Sequence, residues 1–257
     1  IFGLNEFATR LPSALSGVAA VWLISLGVRQ LLVESKKSVF QEKMPFLSAF
    51  FLAVSPWHIQ FSRGAWEVNL SLTLTLAAVY FFLKSREKQT YLIFSFVFFA
   101  LTLLTYQGAK LSSSLVVLIL LFLFFKQVKT LSRRVLITSL VVGVVVSFPI
   151  ILSLVNGKAA RLSVFNLFAH PRPVEVVENI LSQGEESKSD TTYILFHSES
   201  LHFARSVLGR WMNHYSFQFL FSTGDWGNLR HGFPQMGNLM FIDLVFLISG
   251  FIALARR

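Results

Sequence analysis

The stretch QTYLIFSFVFFALTLLTYQGA, residues 89–109, contains no charged side chain, and its reading decides the class of the protein. A helix rises about 1.5 Å per residue, so a run of roughly 17–25 apolar residues covers a hydrocarbon core about 30 Å thick. Residues 11–28, 44–62 and 135–157 are likewise free of charge, while 68–83, 111–125 and 239–255 are shorter or carry one acid. Seven spans are therefore predicted. Hydrophobic residues make up 54% of the 257 and charged residues 14%, a balance that a water-soluble fold of this length rarely shows. Helices satisfy their own backbone groups in lipid, and no alternating ten-residue pattern points to a barrel. The expected fold class is all-α: a polytopic transmembrane helical bundle with a long extracytoplasmic loop containing short helices.

The formal net charge of +10 does not indicate nucleic acid, because the basic residues fall into short clusters between apolar runs rather than on one soluble face. They read as topology signals. Thirteen of the 23 lysines and arginines, from Arg29, Lys36, Lys37 and Lys43 through Lys84 and Lys126 to Arg257, fall on one side of the alternating spans. By the excess of positive charge in cytoplasmic loops, that side is cytoplasmic. Arg10, Arg63 and Lys110, with seven more spread thinly between residues 156 and 238, face outward. The expected divisions are six spans over residues 1–155, an extracytoplasmic region over 156–238, and a final span over 239–257.

The chain has no cysteine, which excludes disulfides and thiolate metal sites. No Walker-type phosphate loop and no helical His-x-x-x-His pair occurs, and the six histidines show no metal-ligand spacing. Ile1 stands where a start methionine would, and no cleavable leader precedes the first span, so both ends are expected to be truncations.

Pro45 suits the first turn of the second span and Pro56 ends or bends it. Trp57, His58, Gln60, Arg63, Trp66, Glu67 and Asn69 then crowd one outward turn. That density of polar and aromatic groups exceeds what a lipid-facing connection needs, although a plain aromatic belt with a snorkelling Arg63 explains it equally well. Glycine beside an aromatic in Tyr106-Gln107-Gly108 permits close backbone approach. Residues 183–192 are too polar to bury much surface and read as a mobile connection. Leu201, Ala204, Leu208, Trp211 and Tyr215 recur at helical spacing opposite His202, Arg205 and Arg210, predicting an interfacial helix near 199–217. Residues 217–237 have the composition of an ordered loop that folds back on something. Asp243 lies where an acid needs a partner unless it reaches headgroups.

Three segments carry a family resemblance. Asn5-Glu6-Phe7-Ala8-Thr9-Arg10-Leu11-Pro12-Ser13-Ala14-Leu15 resembles the signature Arg-Leu-Pro-Ser-Ala-Leu of GT-C glycosyltransferases of family 39 and the aminoarabinose-transferase type. Ser55-Pro56-Trp57-His58-Ile59-Gln60-Phe61-Ser62-Arg63 is similar to their Ser-Pro-x-His turn, and Tyr106 to Leu111 to their Tyr-x-x-Ala-basic element. Gly224-Asp225, Arg230-His231 and Gly237-Asn238-Leu239 look like their late outer loop, so the resemblance covers nearly the whole chain.

The resemblance implies a multi-pass enzyme of a bacterial plasma membrane that takes a sugar from a polyprenyl-phosphate donor. Its acceptor, a hydroxyl on a protein, lipid or glycan, is not identified. Such transfer needs a base for the attacking hydroxyl and cations for the departing phosphate. Arg10, Arg63 and Lys110 are then the expected lipid-phosphate ligands. Glu67, four residues after Arg63, is the catalytic candidate or an ion-pair partner on the same helical face. His58, Tyr106, Gln107, Asp225, Arg230 and His231 are expected around the substrate, and no cofactor is required beyond a possible divalent cation. In these families an essential acid precedes the first motif, which would put it before Ile1 and leave this stretch inactive alone. A transporter or flippase for an amphiphilic lipid would share kinked spans and mobile loops, but no inverted repeat favours it.

Overall fold

A computed structural model describes residues 3, 5–33, 39–156, 172–225, 227, 232 and 235–255. Every regular element among them is helical, as expected of a chain that must satisfy its backbone without water. The first helix, α1 (Glu6–Leu32), starts where Asn5 turns its side chain back to accept the Ala8 N–H at 2.8 Å, a strongly favoured helix cap. Glu6 in its first turn and Arg29 in its last both complement the helix dipole.

The predicted second span is two helices. α2 (Val39–Val54) begins well before Pro45 and carries it inside the helix, which corrects the expectation that Pro45 opens the span. α3 (Pro56–Arg63) has Pro56 at its first position. Its missing N–H and fixed φ suit a helix start, and it forces Ser55 into extended backbone (ψ 126°), so the chain breaks between the two. After Gly64–Trp66 comes α4 (Glu67–Lys84), then α5 (Tyr91–Thr105), α6 (Ala109–Leu123), the short α7 (Phe125–Thr130) and α8 (Arg133–Val155). Two further helices, α9 (Val174–Gln183) and α10 (Glu199–Asn213), flank a π-helical turn at Tyr193–His197, and α11 (Phe241–Ala255) closes the described chain.

Among the described residues three helices are long and apolar enough to cross a membrane, namely α1, α4 and Arg133–Ser153 of α8, while α5, α6 and α11 are apolar but shorter. α1 packs against α2, α3 and α4; α4 against α5; and α5 against both α8 and α6. At one end Phe82, Leu83, Leu92, Leu120 and Leu131 form the buried apolar core, sealed by Gln127, whose Nε2 donates to the Phe82 carbonyl (3.2 Å) and whose Oε1 accepts from Arg86 (2.8 Å). That end carries the lysine-rich turns. The opposite end gathers the start of α1, the α3–α4 junction, the Tyr106–Lys110 turn and the start of α11, and we call it the arginine end.

Candidate functional site

At the arginine end small and polar side chains bridge α1, α3 and α4. Ser13 of α1 donates to the Phe61 carbonyl of α3 at 2.9 Å. Asn69 of α4, 1% exposed, donates to the Ser13 carbonyl at 2.7 Å. One turn along, Thr73 donates to the Ser16 carbonyl at 2.7 Å. A Cβ built on Gly17 would collide with Ser62 Oγ, so glycine is what lets α1 approach α3. Ser13 and Gly17 stand four apart, the small-xxx-small spacing that brings membrane helices into close contact. Sequence reasoning places Asn69 in the polar cluster and has Ser13 only as a letter of the first motif, with no packing role, and it misses Ser16 and Gly17; the small-xxx-small spacing is the available signal for the close approach.

Above this seam Arg10 and Arg63 come together. Both line a hollow of about 420 Å³ with Gly17, His58 and Ser62, and both line an adjoining one of about 490 Å³ with Gln60 and Trp66. Arg10 is half exposed and 3.7 Å from Glu6, one turn back on its own helix, an exposed ion pair of small energetic weight. Arg63 occupies the exposed last turn of α3, where a cation meets the negative end of the helix dipole. Two arginines lining one cavity with an apolar inner wall are suited to an anion carried by an amphiphile.

His58 forms part of that wall. It is 3% exposed, its Nε2 is buried with no hydrogen-bond partner among the described residues, and its ring meets Trp57 edge-on at 5.6 Å between centroids. A buried polar atom left unsatisfied costs about 1–3 kcal/mol, so its retention in a folded chain asks for an explanation.

The other expected site residues are placed differently. Glu67 is exposed at the first position of α4. The Gly64–Trp66 turn separates it from α3, so Glu67 and Arg63 do not share a helical face, and no ion pair joins them among the described residues. The helix break overturns that pairing. Lys110 donates to Gln107 Oε1 at 2.5 Å and lines a separate, apolar groove of about 780 Å³ between α5, α6 and α8. Tyr106 ends α5 by donating its backbone N–H to the Thr102 carbonyl, with its ring against Gly108, as the glycine-aromatic pair predicts. The two arginines thus share one hollow, and Lys110, Tyr106 and Gln107 belong to a neighbouring turn.

The late loop does fold back. Asn238 presents its carbonyl to Trp57 N and to Ser55 Oγ, each at 3.5 Å, over the α2–α3 break. Leu239 N donates to the Leu220 carbonyl at 2.7 Å. A Cβ on Gly237 would collide with the Phe221 backbone, so this crossing admits only glycine. Asp225 follows Gly224, whose φ is +62°, and is half-buried; Arg230 and His231 lie outside the described residues. Asp243 finds its partner in the Met240 N–H, 2.8 Å away, and caps α11. Among the described residues no group of three His, Cys, Asp or Glu could hold a metal ion, so the possible divalent cation gains no ligand set there.

In the loop region Arg172 donates to Glu199 Oε1 at 2.8 Å and to the His197 carbonyl. His197 Nδ1 lies 2.9 Å from Glu186 Oε2. The hydrogen bond from His197 holds the Glu186 carboxyl below the ordinary glutamate value. This network organises the start of α10, and none of its members lines the two-arginine hollow.

Residues 1–152 match a family model described as dolichyl-phosphate-mannose-protein mannosyltransferase. Nothing among curated proteins or solved structures matches the chain.

Proposed function

The chain belongs to the dolichyl-phosphate-mannose-protein mannosyltransferase family, multi-pass membrane glycosyltransferases of GT-C type, and on that premise we propose that it moves a sugar from a polyprenyl-phosphate donor to an acceptor hydroxyl at the outer membrane face. The observation that carries this reading is the convergence of Arg10 and Arg63 on one hollow at the end of the bundle. In the reaction the bond between the anomeric carbon and the phosphate oxygen breaks and its electron pair stays with the phosphate. A bond from the anomeric carbon to the acceptor oxygen forms, and the hydroxyl proton passes to a base. The departing phosphate gains negative charge as it leaves, so cations fixed beside it stabilise the transition state more than the ground state.

Arg10 and Arg63 take the phosphate in this scheme. Glu67, exposed at the same end, is the proposed carboxylate for the acceptor hydroxyl. Lys110 heads the neighbouring apolar groove and is proposed to meet a lipid headgroup there rather than the reacting phosphate. α10 is proposed to lie along the membrane surface, which accords with the exposure of Leu208, Trp211 and Tyr215 on one side.

The test is steady-state transfer by the intact protein from a labelled polyprenyl-phosphate sugar. Loss of one charge-assisted contact corresponds to about 1.5–3 kcal/mol, so Arg63→Ala is expected to lower kcat/KM for the donor by about 10-fold to 100-fold with the acceptor KM unchanged. Unaltered donor kinetics would remove Arg63 from the site. Full turnover by Glu67→Gln would remove Glu67 from the chemistry.

A further inference from the structure

His58 has an imidazole whose position is explained by its neighbours and whose nitrogen is not. Trp57 packs edge-on against the ring. The serines nearby in sequence have partners of their own: Ser55 Oγ faces the Asn238 carbonyl at 3.5 Å, and Ser62 Oγ accepts from Asn69 at 3.4 Å. Leucine or phenylalanine would fill the same wall without a dry polar atom, and buried nitrogens without partners are rare in folded proteins. His58 lines the hollow shared by Arg10 and Arg63, and its Nε2 lies covered beneath that surface.

We propose that His58 is a phosphate ligand whose Nε2–H donates to an oxygen of the lipid-linked phosphate, completing with Arg10 and Arg63 a three-sided anion site. This rests on the donor reading given above. The guanidinia supply charge from the exposed rim, and the imidazole supplies one directed donor from the buried wall. A phosphate has more acceptor sites than two arginines use, and a donor already desolvated needs no water stripped from it when the anion enters. Cleavage of the sugar turns the phosphodiester into a monoester bearing more charge, so the imidazole contact is expected to be stronger to polyprenyl phosphate than to the sugar-bearing donor.

Binding of polyprenyl phosphate to the intact protein in nanodiscs tests this without requiring turnover. One lost hydrogen bond to a charged group predicts that His58→Phe binds about tenfold more weakly, while its ligand-free melting temperature stays level or rises because the orphan nitrogen is gone. His58→Gln, which restores an N–H donor, is expected to recover affinity to within about threefold of wild type, on the same hydrogen-bond scale. Equal affinity of His58→Phe and wild type overturns the proposal and leaves the donor reading standing. No binding by wild type itself overturns both. If His58→Phe does not fold, the comparison passes to His58→Gln against His58→Leu, where equal affinity again overturns the proposal.

Discussion

The seam between α1, α3 and α4 and the groove between α5, α6 and α8 use similar residue types in different proportions of cross-helix and own-helix bonding. In the seam the hydroxyls and the amide reach across: Ser13 to Phe61, Asn69 to Ser13, Thr73 to Ser16. In the groove two of the lining serines fold back on their own helix: Ser147 bonds the Gly143 carbonyl at 2.7 Å and Ser114 the Lys110 carbonyl at 2.6 Å. The other two reach across: Ser113 lies 2.8 Å from Thr102 and ties α6 to α5, and Ser95 donates to the carbonyl of the small Ala78 of α4 at 2.8 Å. A serine in an apolar helix therefore does not by itself cement an interface. It does so where a small residue on the partner lets the backbones approach, as Gly17 does, and otherwise satisfies itself at i−4 and leaves the face to lipid.

The comparison breaks most sharply at Gly17. Gly17→Leu would force α1 off Ser62, and overpacking of this kind costs about 1–3 kcal/mol. Its melting temperature in detergent should fall further than that of Asn69→Leu or Gly143→Ala, and a midpoint equal to wild type would mean that the α1–α3 approach is not tight. Asn69→Leu comes next: interhelical polar contacts in membrane proteins contribute about 0.6 and up to about 1.7 kcal/mol, so a smaller drop is expected, with looser coupling of α1 to α4 read by cross-linking. On the groove side, Gly143→Ala sets a Cβ 3.2 Å from Phe96, a contact that the ring can relieve by a small shift. Its effect should stay within about 0.5 kcal/mol, and a loss as large as that of Gly17→Leu would erase the distinction between the two regions.

The smallest effect is reserved for a control outside both. The Glu186 carboxyl is held below its ordinary value by His197, so its contribution is fully present above the unfolded-state glutamate pKa and disappears as pH falls through the lowered folded value. Amide protection factors across residues 185–199, which correct exchange for its intrinsic pH dependence, should be steady from neutrality down to the ordinary glutamate range and fall only below it. Glu186→Gln should remove that acid step, while an opening that begins near neutrality would contradict it.

Much of this is legible in the sequence. The uncharged runs announce the helices, Ser55-Pro56 announces the break, and a helix over Glu199–Asn213 falls inside the 199–217 stretch that the apolar period marks, ending short of Tyr215. The split of the second span is only half legible, because Pro56 marks the break but nothing local says that the helix before it reaches back past Pro45 to Val39. A proline can sit within a helix when neighbouring groups satisfy the carbonyl it frees. Arg10 and Arg63 stand out as outward cations, yet their shared hollow depends on how close α1 lies to α3, a distance that is set by Gly17 and carries no charge signal. The Glu67–Arg63 pairing fails because the spacing presumes a continuous helix where Gly64–Trp66 intervene. The docking of Asn238 on Ser55 joins residues 183 positions apart, and no local pattern encodes such a contact.

That last contact has a consequence for biosynthesis. The break between α2 and α3 is formed early in translation, but the carbonyl that covers it arrives only with Asn238, just ahead of α11, whose Phe246 then stacks edge-on against Phe51 of α2 at 4.9 Å. Contacts of such long sequence separation form late. Until the ribosome has delivered this segment, the Ser55 and Trp57 polar groups lack their cover and the arginine end is unfinished, so the mature geometry of its hollow is a late product of membrane insertion.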